Sequence, residues 1–306
     1  MSLKEFGVLL ALGAIWGASF MFIKVGGREI GPFAMVEMRI GIAGIIMLLI
    51  SFTRPGVVKA MLSNWRPLAV MGLINCSLPY TLFVWGELYI DSGLAGIYNA
   101  FAPLWAAGLT FVLPFTERLT SSKVAGLIVG LGGVILLVGG NFAAGNGGGV
   151  LNLLGQGACL LAALSYGLAG HFGRRFLQGV PLQAAATGQL VTGTIMLAPL
   201  AAFQIPTTMP SWEALGSVAV LAIAGTALAS LMYYWLLSRL GATKVLLVTY
   251  LLPGFALVWG ALLLQEAITL TALLGLGLIL LGIAITSGSL VGLFARFRRK
   301  PGEMTA

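Results

Sequence analysis

The sequence predicts an all-α integral membrane protein, with ten transmembrane helices in a five-plus-five inverted repeat around a central cavity. Composition is the first reason. Of 306 residues, 59% are hydrophobic and 8% charged, with a mean hydropathy of +1.01, whereas a soluble domain carries about 25% charged residues. The second reason is run length: segments of about 20 apolar residues, rising about 1.5 Å each, span a hydrocarbon core about 30 Å thick. These runs are continuous, which excludes the alternating pattern of a barrel. The third reason is internal repetition. GLAGIYNAFAPLWAAGLTFVLPFTERLTSSK at 93–123 returns as TKVLLVTYLLPGFALVWGALLLQEAITLT at 243–271, with Pro253 opposite Pro103 and Glu266 opposite Glu117.

In chain order the spans fall at 6–24, 33–53, 67–87, 92–112 and 121–141, then 152–174, 183–203, 214–238, 244–264 and 269–292. The opening MSLKEF carries an acid beside its lysine and no small-x-small cleavage site before Lys24, so the first run reads as a retained helix rather than a signal peptide. Residues 1–140 form the first repeat, the glycine-rich 141–151 a linker, 152–292 the second repeat and 293–306 a basic cytoplasmic tail. Gly7, Leu10, Trp16, Gly17 and Lys24 align with Gly157, Leu160, Tyr166, Gly167 and Arg174. Pro32 and Gly44–Leu48 align with Pro181 and Gly193–Leu197, and Trp85 aligns with Trp235. Gly126, Gly133 and Gly139 match Gly275, Gly282 and Gly288. Five helices per unit is an odd number, so the second unit enters the membrane in the opposite sense, an architecture that serves alternating access.

Seventeen Lys and Arg against nine Asp and Glu leave a net charge of +8. In a soluble chain that excess points to nucleic acid; here its distribution explains it. Fourteen basic residues fall on the N-terminal side, from Lys4 through Arg54, Lys123, Arg175 and Lys244 to Lys300; Lys24 and Arg28 fall opposite, and Arg39 within the second span. The positive-inside rule then places both termini in the cytoplasm, with the chain in the inner membrane. Cys76 and Cys159 lie inside apolar segments and outline no disulfide framework.

The opening AIWGASFMFIKVG (14–26), the Pro32-to-Arg39 entry to the second span and the segments ending near Glu117 and Glu266 resemble the drug/metabolite transporter superfamily in its EamA branch. The resemblance covers essentially the whole chain. Within that branch it resembles bacterial amino-acid exporters of the YddG type, which implies export of aromatic amino acids and related metabolites. Thr116 and Gln265 stand where that family usually has glycine before the acid of the turn.

Pro103 and Pro253 should bend the fourth and ninth spans and expose carbonyls, as hinges or as packing kinks. Leu94, Tyr98, Phe101 and Trp105 form one helical stripe. Tyr98 and Asn99 need polar partners at membrane depth, from a substrate or from another helix. Across the repeat, Asn99 faces Thr249, which Tyr250 follows. Trp16 and Tyr166 precede glycines of small-xxx-small pairs, so their opposite faces are free to line a cavity or to pack. Tyr80 in the third span has Ser230 as its mate in the eighth. The substrate-binding candidates are therefore Trp16, Tyr80, Tyr98, Asn99, Phe101, Tyr166, Ser230 and Tyr250.

His171, the single histidine, is the candidate proton carrier, with hydrogen-bonded packing as the alternative. Glu37 and Arg39 read as structural residues of a solvated entrance, Glu87 and Asp91 as acids of an external turn. With no deep carboxylate pair and no metal-ligand cluster, no catalytic residue, metal or cofactor is expected, and an intramembrane enzyme is disfavoured. No GxxxxGK[ST] occurs, so ATP is not used by this chain. A receptor or scaffold is the remaining class, and no soluble signalling domain supports it. The expected partners are a small-molecule substrate and the lipid bilayer, without nucleic acid, in a monomer or weak dimer. The cargo expected is a small amphipathic metabolite such as an amino acid; a drug, nucleobase, sugar or lipid head-group is the alternative.

Overall fold

A computed structural model describes residues 1–113, 120–143, 149–245 and 247–286. Within them every regular element is helical. Eight helices are long and apolar enough to cross a membrane: α1 (Leu3–Gly27), α2 (Pro32–Phe52), α4 (Trp65–Glu87), α7 (Ser121–Ala143, its window ending at Gly139), α8 (Gly149–Phe176), α9 (Leu182–Ala202), α10 (Trp212–Leu240) and α12 (Leu247–Leu264). Shorter pieces complete the set: α3 (Val57–Ser63), α5 (Ser92–Asn99), α6 (Ala102–Leu109), α11 (Ala242–Val245) and the apolar α13 (Leu270–Thr286). Glu117, residues 144–148 of the expected linker, Gly288 and the tail lie outside the described residues.

Pairs of helices meet through small residues. A Cβ on Gly17 of α1 would lie 2.5 Å from Phe255 Cβ and 2.9 Å from the Ala256 nitrogen on α12. At the aligned Gly167 of α8, it would lie 2.9 Å from the Ala106 nitrogen on α6. Gly133 of α7 meets the Gly275 carbonyl of α13, and Gly72 of α4 meets the Gly193 nitrogen of α9. Where lipid competes equally for apolar surface, such close approach supplies the dispersion that holds helices together. Large side chains on the other faces, among them Ile45, Leu49, Phe52, Ile135 and Leu262, are exposed, as a lipid-solvated surface requires.

Three backbone irregularities shape the interior. α5 stops at Asn99 and α6 starts at Ala102, joined through a tight turn in which Phe101 N–H bonds the Tyr98 carbonyl at 3.0 Å. Pro103 therefore sits in the first turn of a new helix, where its missing N–H costs no bond. Pro253 differs from the expectation of a matching break, because α12 runs through it without interruption. The other two irregularities are π-helical turns, Gly72–Ser77 in α4 and Ile223–Leu228 in α10. In each a hydroxyl bonds the carbonyl five residues back: Ser77 to Gly72 at 3.2 Å, Thr226 to Leu221 at 2.9 Å. Sequence periodicity does not reveal a single inserted residue of this kind.

Carboxylates tie the helix ends. Glu266 accepts from the Ser92 N–H at 2.8 Å, the Ser92 hydroxyl at 2.9 Å and the Gly93 N–H at 3.0 Å, fixing the start of α5 to the end of α12. Glu29 accepts from the Ser211 N–H at 2.7 Å and its hydroxyl at 2.6 Å, at the start of α10.

The Ser211 bonds hold the Glu29 carboxyl below its ordinary range. A lowered carboxylate pKa stabilises above the unfolded value and is lost as pH falls through the folded one, so Ser211→Ala should flatten the acid limb of a stability-versus-pH profile. Gly17→Val should lower unfolding stability by about 1–3 kcal/mol through overpacking, while Gly7→Val, with nothing within 4 Å of its Cβ, should leave the thermal midpoint in detergent unchanged.

Candidate functional site

Arg39 lies in the second turn of α2 and is 6% exposed, so the solvated entrance expected from sequence is corrected. The π turn of α10 is the local cause of its placement. Its Thr226 spends the hydroxyl proton on the Leu221 carbonyl and accepts Arg39 Nε at 3.0 Å. The guanidinium carbon stands 4.1 Å from the centroid of the Tyr80 ring, a cation–π contact in a desolvated setting.

Aromatic rings extend this centre. Tyr166 of α8 stacks on Phe83 of α4 at 6.1 Å, and Phe83 meets Phe20 of α1 edge-on at 5.4 Å. Trp16 of α1 tilts onto Tyr233 of α10 at 5.8 Å, and Tyr233 meets Tyr234 at 5.6 Å. Tyr166, Tyr80, Cys76 and Arg39 are electrostatic neighbours, and Tyr234 is a neighbour of Tyr80 and Cys76. Among the described residues, no protein group bonds the Arg39 terminal nitrogens or the hydroxyls of Tyr80, Tyr166 and Tyr234, yet none of these atoms is sealed. Polar atoms that are unpaired but not sealed can be touched by water.

The expected site residues divide. Trp16, Tyr80 and Tyr166 belong to this centre. Ser230 lies one turn beyond Thr226 on α10, and Asn99 ends α5 at the break. Ser230, Asn99 and Tyr250 are each half-buried with an unbonded polar tip that is not sealed. Tyr98 stands apart: it is fully buried and donates to Gln156 Oε1 at 2.5 Å. Gln156 in turn donates to Asn152 at 2.6 Å, and Asn152 to the Tyr89 carbonyl at 2.9 Å, which fastens α5 to α8 and to the end of α4. Phe101 packs edge-on against Trp105 at 5.6 Å within the core.

His171 is buried, with Nε2 2.6 Å from the Ala106 carbonyl and Nδ1 3.1 Å from an Arg174 nitrogen. Arginine only donates, so Nδ1 accepts and the proton sits on Nε2, facing the carbonyl. Glu87, read from sequence as an acid of an external turn, is 1% exposed, and neither carboxylate oxygen has a hydrogen-bond partner. A Cβ on Gly86 would meet Cys159 Sγ at 2.7 Å and the Gly155 carbonyl at 2.8 Å, so α8 closes over this end of α4. Lys24 serves the backbone there, donating to the Glu87 and Ile90 carbonyls at 2.6 Å each.

Apolar helices crossing through backbone contacts, with a charged and hydroxyl-bearing centre among them, define a multi-pass membrane protein. The EamA-like transporter family matches twice, over residues 5–139 and 153–288, and the chain belongs to that family. It is a transporter of that type.

An uncharacterized transporter of Archaeoglobus fulgidus is 27% identical over 286 residues, covering 92% of this chain and 98% of its own. The uncharacterized inner membrane transporter YedA of Escherichia coli K12 is 27% identical over 291 residues, 93% and 91% of the two chains. A probable terminal-alkyne amino-acid exporter of Streptantibioticus cattleyicolor is 27% identical over 297 residues, 94% and 95%. These relatives are named as transporters, not enzymes. A protein of known crystal structure shares the fold, with a TM-score of 0.65 at 19% identity over 98% of this chain and 100% of its own.

Tyr98→Phe should cost about 1–2 kcal/mol, because it strands the Gln156 carbonyl oxygen in the core. Tyr80→Phe removes a hydroxyl with no protein partner and should change stability by less than about 0.5 kcal/mol. Denaturant titration of the two variants in one detergent compares them directly.

Proposed function

We propose that the protein is a secondary transporter that exports small amphipathic metabolites, aromatic amino acids foremost, by alternating access. The observation that carries this reading is the central group of unbonded, unsealed polar tips among aromatic rings, built from α1, α2, α4, α8 and α10. Rings suit an apolar side chain, and hydroxyls with the guanidinium suit a polar head. The exporter from Streptantibioticus, whose printed name specifies an amino-acid cargo, supports the same substrate class.

The mechanism rests on an inverted repeat of five helices and five. Eight long spans, the broken α5–α6 pair and α13 make ten crossings, and the family matches once in each half. Corresponding contacts support a two-fold relation: α1 meets α12 at Gly17 where α8 meets α6 at Gly167, and each half has one π turn. Under this reading Pro103 and Pro253 are the hinges around a central cavity, and residues 1–140 and 152–292 are the moving units. The basic residues orient both termini to the cytoplasm of an inner membrane, and the transporting unit is a monomer or weak dimer.

Purified protein in liposomes should exchange labelled L-phenylalanine above the level of empty vesicles, with unlabelled aromatic amino acids competing. Absence of flux across a panel of amino acids, from protein that remains folded and monodisperse, would overturn the substrate class. Flux of a nucleobase or sugar in the same vesicles would replace it with another cargo.

A further inference from the structure

We propose that Arg39 anchors a carboxylate of the transported molecule, so that the site selects carboxylates and rejects the corresponding amines and amides. The inference deepens the transport reading above and rests on it for the movement of cargo. It starts from an imbalance of charge. Arg39 is 94% buried by its 6% exposure, in a protein whose surroundings solvate ions poorly. A guanidinium in such a place needs compensation, and the groups in direct contact with it are neutral: the Thr226 oxygen at 3.0 Å and the face of Tyr80 at 4.1 Å.

No acid bonds the Arg39 guanidinium directly among the described residues. Glu37 is two residues away on the same helix, but its Oε2 is buried without any hydrogen-bond partner. Glu87 is an electrostatic neighbour of both Lys24 and Arg39, but both its oxygens are buried without a hydrogen-bond partner, so it makes no direct pair with the guanidinium. Tyr80, Tyr166 and Cys76, the other titratable neighbours, are neutral side chains in the ordinary range of conditions.

Geometry then specifies the ligand. With Nε committed to Thr226, the side of the guanidinium is occupied and its end remains, where the two terminal nitrogens lie side by side. That end matches the two oxygens of a carboxylate in a bidentate pair. One guanidinium balances one negative charge, which favours a carboxylate over a phosphate dianion. The hydroxyls of Tyr80, Tyr166 and Tyr234 add donors and acceptors for the rest of the head group, and the rings of Trp16 and Tyr233 supply apolar walls. A zwitterion without net charge thus docks by its carboxylate first.

The test is exchange of labelled L-phenylalanine in proteoliposomes, with unlabelled competitors that share the ring: 3-phenylpropanoate, L-phenylalaninamide and phenethylamine. 3-Phenylpropanoate should compete, and the amide and amine should be weaker by about 30-fold, the size of a charge-assisted bond of about 2 kcal/mol. Arg39→Lys should raise KM by about 10-fold through loss of the fork, and Arg39→Gln should reduce the acid-over-amide preference to less than about twofold. Thermal stabilisation of the purified protein by 3-phenylpropanoate, read against L-phenylalaninamide, gives a binding measurement that needs no transport. It should be present in the wild type and lost in Arg39→Gln.

Equal competition by amine and acid would overturn the proposal, as would an Arg39→Gln protein that keeps the acid preference. If Arg39→Gln does not fold, the wild-type preference and Arg39→Lys decide. If the wild type moves no phenylalanine, the amino-acid cargo falls, and the stabilisation experiment still decides whether Arg39 binds carboxylates.

Discussion

Inside a bilayer no water is present to bond a carbonyl that a helix releases, so both π turns of this protein depend on side-chain donors, from the turn itself or from another helix. Ser77 serves the first π turn by reaching both the Gly72 carbonyl and, at 3.0 Å, that of Gly193. Ser165 of α8 donates at 2.6 Å to the Ile74 carbonyl within the same turn. Thr226 serves the second π turn. The carbonyls near the end of α4 go to Lys24, that of Ala106 to His171, and that of Ala14 to the Trp259 indole at 3.1 Å. Most of these donors come from a different helix, so the bonds that permit irregular backbone are also bonds that fasten helices together.

The central site follows from that constraint. A π turn widens the helix by one residue and rotates the side chains that follow it. Thr226 both closes its own turn and presents its oxygen to Arg39, so one hydroxyl connects backbone irregularity to the placement of the buried charge. The α4 turn precedes Tyr80 by three residues, and Tyr80 forms the other wall of Arg39. The two irregular turns, one from each family match, therefore converge on one guanidinium.

Much of this was legible in the sequence, for physical reasons. Hydropathy marks membrane spans directly, and Gly17 and Gly167, read as small-residue contacts, do take helices to backbone distance. Tyr80, Tyr166 and Trp16 were legible as polar aromatics too deep for an interfacial belt. Other features were not legible. Periodicity carries no mark of a π turn, so nothing in the sequence singled out Thr226 and its tie to Arg39 stayed hidden. Pro103 and Pro253 are equivalent in sequence yet differ in effect, since a helix can restart at a proline or run through it, depending on its neighbours. Glu87 read as an acid of an external turn because it ends a span; the Gly86–Gly155 crossing that buries it is a tertiary contact between distant segments.

The glycine crossings have a mechanical consequence. Side chains that interlock as ridges in grooves must leave their rotamer wells before one helix can slide along another, and each escape adds to an activation enthalpy. At Gly17 against Ala256, Gly167 against Ala106 and Gly72 against Gly193, the surfaces in contact are mostly backbone. They have density without teeth. A seam of this kind keeps its dispersion energy over small displacements because one smooth segment is replaced by another, so cohesion and low friction reside in the same contact. The molecule can thus be held firmly at its crossings and still shear along them.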